Sequence, residues 1–110
     1  MERMSGLELT AWRSLMGLAA SDLAGMCGVD VRTVQRWEAD RVPMPGYVVE
    51  LVGRLRVEHD SLVAELAGRG TVVLPRARSA YEGGYPRGWY VAALGRALGD
   101  GAHIDASWDA

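Results

Sequence analysis

Apolar side chains recur at helical spacing over most of this chain. Leu9, Trp12, Leu15 and Met16 form one face of a first helix that ends at Gly17. Leu23 and Met26 mark a short second helix from Ser21 to Cys27. Asp22 falls in its first turn, where the helix dipole favours an acid, and Gly28 is a suitable stop. Asp30 is a good N-cap for a third helix, from Val31 to about Ala39. Pro43 and Pro45 then interrupt the pattern. A long fourth helix is predicted from Gly46 to Ala67, with a seam of Val48, Leu51, Val52, Leu55, Leu62, Val63 and Leu66 that His59 interrupts.

Beyond Gly68 and Gly70 the period changes. Thr71-Val72-Val73-Leu74 is β-prone and is stopped by Pro75, so it reads as one short strand. A lone strand leaves backbone groups unpaired on both edges, and the cheapest partner is the same strand of a second subunit. Arg76 to Gly88 reads as a loop with room for one helical turn. Trp89 to Leu98 is a last helix, and the acidic residues through Trp108 read as a loosely held tail. The fold class expected is mainly α: a four- or five-helix N-terminal domain and a small C-terminal unit with one short strand and a helix. The boundaries are 1–55 and 56–110.

The chemistry concentrates between Leu18 and Glu38. Two short helices joined by a tight glycine turn describe a helix-turn-helix. Ala24 is small enough for close helix approach, Gly28 can take a positive φ, and Val29 fills the angle between the helices. On the third helix, Val34 and Trp37 point to the core. Val31, Arg32, Gln35 and Arg36 point away from it, with Thr33 at the boundary. That outward set suits a major-groove reader. Arginine can bond guanine O6 and N7 together, glutamine can do the same at adenine, and Val31 and the Thr33 methyl can touch a thymine methyl.

Leu9 to Pro45 resembles the Cro/C1-type (XRE-like) helix-turn-helix regulators of phages and bacteria. The resemblance rests on Arg13, Gly17-Leu18, Leu23-Ala24, Gly28-Val29-Asp30, Thr33-Val34, Trp37-Glu38, Arg41 and Pro43 or Pro45. It implies an ion pair between Arg13 and Glu38 that ties two helices together. Two positions depart from the family pattern. Ala19-Ala20 stands where Ser/Thr-Gln often opens the second helix, and Asp40 stands where glycine is usual. The later elements look similar to the YdiL-like, anti-CRISPR-associated group of small repressors, in which the C-terminal part makes a homodimer.

Composition adjusts this picture. The net charge is −2, which alone disfavours nucleic acid. All 12 basic residues are arginines, however, and three of them (Arg32, Arg36 and Arg41) lie between Val31 and Arg41 against only Glu38 and Asp40. One cysteine excludes an intrachain disulfide framework. No apolar run approaches the roughly 18 residues of a membrane span, and the N-terminus lacks a secretory signal, so a cytoplasmic protein without a membrane partner is expected. Cys27, His59 and His103 lack metal-ligand spacing, no catalytic constellation is present, and no enzyme, metal or cofactor is expected.

The function expected is sequence-specific binding of double-stranded DNA by a homodimeric repressor of a phage or prophage operon, its own operon included, on a palindromic operator. Arg32, Gln35 and Arg36 would read bases with help from Val31 and Thr33, while Ser21 and Arg41 hold phosphates. The dimer would use Leu62, Leu66, Val72, Val73, Leu74 and Trp89, with the second half of the long helix leaving the DNA-binding domain. Trp12 and Trp37 are core positions, and Trp108 either docks on the partner subunit or is exposed. The alternative is an antitoxin-like or other interaction module that binds an unidentified protein through its C-terminal region.

Overall fold

The computed structural model describes residues 3–110. The protein is mainly helical: α1 (Gly6–Leu15), α2 (Ala20–Cys27), α3 (Val31–Glu38), α4 (Gly46–Ala67) and α5 (Arg87–Gly99). β1 (Thr71–Leu74) and a 3-10 turn (Arg78–Tyr81) precede α5, and β2 (Asp105–Trp108) follows it. No helix among the described residues is long and apolar enough to cross a membrane.

Local chemistry sets the helix ends. Ser5 and Glu8 form a reciprocal capping box at α1: the Ser5 hydroxyl accepts from the Glu8 N–H, and Glu8 Oε1 accepts from the Ser5 N–H, each at 3.1 Å. α1 therefore begins at Gly6, a turn before the first apolar residue of its face. Gly28 ends α2 at φ 71°, a left-handed cap that a side chain would strain.

Two apolar clusters stand along α4 and α5. The larger joins α1, α2, α3 and the first half of α4 through Leu9, Leu23, Val34, Trp37, Val48 and Val52. Burying a side chain such as Leu9 completely contributes about 1.5–3 kcal/mol. The smaller joins the end of α4 to α5 and β1 through Val63, Leu66, Val72, Ala93 and Ala97. Ala93 and Ala97, one turn apart, let α5 lie close to its neighbours.

The C-terminal half differs from the sequence expectation. β1 is not a lone strand. It pairs in parallel with β2 of the same chain, Thr71 beside Asp105 through Leu74 beside Trp108. Parallel strands need a crossover, and α5 supplies it. The tail is therefore built into the sheet, with Trp108 near the guanidinium groups of Arg87 and Arg76, 5.4 and 6.0 Å from its ring centre.

This changes the expected dimer residues. Leu66, Val72 and Trp89 are buried inside one chain, Leu62 and Leu74 are half-buried against the smaller cluster, and only Val73 is well exposed. The second half of α4 does not leave the fold but packs on α5.

Trp89 belongs to the larger cluster. Tyr85 stacks on it at 4.0 Å, and the His59 ring meets it edge-on at 4.4 Å. His59 is wholly buried and fully bonded. Its Nε2 donates to the Trp89 carbonyl at 2.9 Å, and its Nδ1 accepts from Arg96 at 2.8 Å. The Arg96 contact requires the neutral ring, since a protonated Nδ1 could not accept, and burial pushes the pKa of His59 down. Arg96 also pairs with Asp60 at 2.6 Å.

Candidate nucleic-acid interface

α2, a glycine turn and α3 form the helix-turn-helix. The Val29 N–H donates to the Ala24 carbonyl at 3.0 Å, closing the turn. Asp30 then caps α3. Its Oδ1 accepts from the Thr33 N–H at 2.8 Å and from the Thr33 hydroxyl at 2.7 Å. These bonds, the hydroxyl first, hold the Asp30 carboxyl below the usual carboxylate range, and the charges of Arg36 and Arg32 add a smaller pull. The Thr33 hydroxyl hydrogen is therefore engaged, which leaves its methyl and the acceptor side of its oxygen for a ligand.

α3 splits cleanly into two faces. Val34 and Trp37 are buried, whereas Val31, Arg32, Gln35 and Arg36 are exposed together. Among the described residues, neither Arg32 nor Arg36 forms an ion pair. Their guanidinium groups are free to meet an external acceptor. Arg41 is also exposed just beyond the helix, its N–H bonded to the Arg36 carbonyl at 2.9 Å.

The frame behind this face is rigid. Arg13 on α1 grips Glu38 on α3 with two bonds, Nε to Oε2 at 2.6 Å and Nη2 to Oε1 at 2.9 Å. Its remaining nitrogen, Nη1, donates to the Leu18 carbonyl at 3.0 Å. One guanidinium thus ties α1, the turn before α2 and the end of α3 together. The Glu38 bond pushes the Arg13 pKa further up. Glu38 is consumed by this pair and does not weaken the charge of the exposed face.

The two departures from the family pattern have structural answers. Ala19 has no capping oxygen, but Asp22 supplies the other half of a capping box, its Oδ2 accepting from the Ala19 N–H at 2.7 Å. Ser21 sits exposed in that same first turn. Asp40 adopts a left-handed conformation, φ 57°, as the usual glycine would. Its carboxylate reaches back to accept the Gly6 N–H at 2.9 Å, so the acid helps close the start of α1.

Sequence reasoning missed three features. Arg56 of α4 lies flat over Trp12, 3.6 Å from the ring centre, so Trp12 is half-buried under a cation instead of deep in the core. His59 is a bonded core residue and does not break the α4 seam. Arg78 of the loop and Arg87 at the start of α5 line a cleft beside α2 together with Asp22 and Glu82, and the arginines of this segment were the available signal. Burial pushes the Cys27 thiol up, consistent with a packing role.

No protein-family model matches the chain, and no curated protein matches it.

Proposed function

We propose that this chain is a sequence-specific double-stranded DNA-binding regulator of the Cro/C1 type, acting as a homodimeric repressor on a palindromic operator. The observation that carries the reading is the exposed row of Val31, Arg32, Gln35 and Arg36 on a helix whose other face is locked by Val34, Trp37 and the Arg13–Glu38 pair. A surface made only for packing would be more apolar. A helix held this firmly can place two bidentate base readers, Arg36 and Gln35, in a major groove. Ser21 and Arg41 stand at the two ends of the unit, where they hold the flanking phosphates. Two copies related by a two-fold axis would set their recognition helices about 34–36 Å apart and occlude a promoter.

The test is a gel shift on the DNA upstream of the coding sequence, with a scrambled duplex as control. Arg36→Ala is expected to weaken operator binding by about 1–3 kcal/mol and to leave binding to the scrambled duplex nearly unchanged. Equal operator affinity for the variant and the wild type would remove Arg36 as a base reader. Wild-type protein that binds neither duplex would refute the function.

A further inference from the structure

We propose that the backbone contact between Gly17 and Gly88 is a specificity-determining joint: it fixes the recognition helix relative to the C-terminal half and so sets the half-site spacing that the dimer accepts. The inference rests on the homodimeric DNA-binding reading above and names the residues that position α3 within it.

The two halves of the chain share α4, whose 22 residues run about 33 Å from the larger apolar cluster to the smaller. One shared helix constrains rotation about its own axis poorly. A second contact, off that axis, removes the freedom, and α5 supplies it. The first turn of α5 reaches back into the larger cluster, where Trp89 is buried with Tyr85 stacked on it. Just before Trp89, Gly88 meets Gly17, in the turn between α1 and α2, backbone to backbone.

Neither glycine can be replaced without moving the joint. A Cβ on Gly88 would overlap the Gly17 carbonyl oxygen. A Cβ on Gly17 would overlap the Gly88 carbonyl oxygen and lie 2.8 Å from the Ala92 Cβ, one turn further along α5. The obstructing carbonyls are backbone and cannot swing aside as the end of a side chain would. Gly17 also needs glycine for its φ of 72°, whereas Gly88 has no such φ, so the contact alone requires glycine there. Glycine weakens a helix relative to alanine, and at Gly88 the close approach is what it serves. Gly95, on the same helix, is the opposite case, because a Cβ there meets open space.

From this joint the path to α3 is one guanidinium long. Leu18 follows Gly17, and its carbonyl accepts from Arg13 Nη1 at 3.0 Å. The same guanidinium grips Glu38 at the end of α3. On the other side, the Trp89 carbonyl accepts from His59 Nε2 at 2.9 Å, which ties the joint to α4. A palindrome engages both recognition helices only when their separation matches that of its half-sites. One added base pair moves the half-sites about 3.4 Å apart and turns them by about 35°. A joint made of two backbones, with no side chain to give, holds the heads to that tolerance.

The test is selection from a library of random duplexes of about 30 base pairs, long enough for two half-sites one DNA turn apart. Wild type is expected to enrich inverted half-sites at one spacing. Gly88→Ala is expected to enrich the same half-site with the spacing shifted or spread over several values. It should also lose about tenfold or more of the affinity for the duplex that wild type selects, because the second head no longer engages in register. Gly95→Ala keeps the wild-type spacing and affinity. A loss of stability alone would lower the active fraction and leave the spacing as it is. Should Gly88→Ala fail to fold by circular dichroism, Tyr85→Ala, which removes the ring stacked on Trp89 and adds nothing at the backbone contact, is read in the same way. A folded variant that selects the wild-type spacing as sharply as wild type overturns this inference and leaves the helix-turn-helix reading standing. Enrichment of single half-sites by wild type removes the dimer and this inference with it, and enrichment of no sequence removes the DNA-binding reading as well.

Discussion

Asp40 shows how one residue reconciles two demands. A left-handed backbone costs an L-residue roughly 1–2 kcal/mol relative to glycine. Asp40 accepts that strain at φ 57° and offsets it by capping the Gly6 N–H, a donor that α1 cannot satisfy internally. The two contributions can be separated by substitution. Asp40→Ala keeps the strain and loses the bond, so it is expected to destabilise by about 1–2 kcal/mol. Asp40→Gly loses the same bond but relieves the strain, and is expected to be the more stable of the two by about 1 kcal/mol. Urea melts of both variants decide this, and equal midpoints would show that the backbone at Asp40 is unstrained. The Arg13–Glu38 pair makes the complementary point. It is bidentate and mostly shielded from water, and it spans two helices, so it orients α3 as well as stabilising it.

At the level of elements, α4 and α5 are joined by a buried polar contact, and that contact makes stability depend on pH. His59 is neutral in the fold because burial lowers its pKa. The Trp89 carbonyl and the charge of Asp60 pull the other way, and the charge of Arg96 reinforces the lowering. In the unfolded chain a histidine titrates near 6.5. Below that value the unfolded state binds a proton that the folded state refuses, so stability is complete above about pH 6.5 and falls as the pH drops through it. The melting temperature of wild type is expected to fall more steeply between about pH 7 and pH 5 than that of His59→Gln, which has nothing to titrate there. Parallel curves for the two proteins would show that His59 is not the sensor. The same elements mark how far the sequence could be read. α3 was legible almost to the residue, because the Asp30 cap, the Val34 and Trp37 stripe and the Gly28 stop are all local signals. His59 looked like a break in the α4 seam, because its partners Trp89 and Arg96 lie on another helix. β2 was illegible because Asp105-Ala106-Ser107-Trp108 has little β-propensity, and only its pairing with β1 makes it a strand. Arg78 and Arg87 were visible in a count of the segment's arginines, but nothing local placed them beside α2.

For the whole molecule, the self-pairing of β1 with β2 occupies one edge of β1 and leaves the outer edge of β2 as a second candidate for the proposed dimer contact. The Asp105 N–H bonds to the Gly70 carbonyl at 3.0 Å and the Asp109 N–H to the Leu74 carbonyl at 2.9 Å. Alternation along the strand then turns the backbone groups of Ala106 and Trp108 outward, unpaired. Val91 of α5 and Trp108, which share a groove with Ala106, are each 40% exposed, and Leu98 further along α5 is 45% exposed. That groove, of about 180 Å³, lies between Leu94 and Ala106. In the proposed homodimer a second copy would use this edge, two β2 strands then running antiparallel about a two-fold axis. Centring the pair on Ala106 sets Trp108 against Ile104 and Asp109 against His103. Centring it on Ser107 would oppose Asp105 and Asp109, two like charges. Wild type is expected to scatter light as a particle of twice the 11.9 kDa chain mass. Val91→Glu with Leu98→Glu is expected to give a folded monomer that has lost operator binding but keeps weak contact with random duplex. Val73→Asp, on the opposite face of the sheet from buried Val72, leaves the dimer intact. A wild-type monomer at the concentrations where the operator is bound would refute the two-fold arrangement, and dissociation by Val73→Asp alone would move the contact to the free edge of β1.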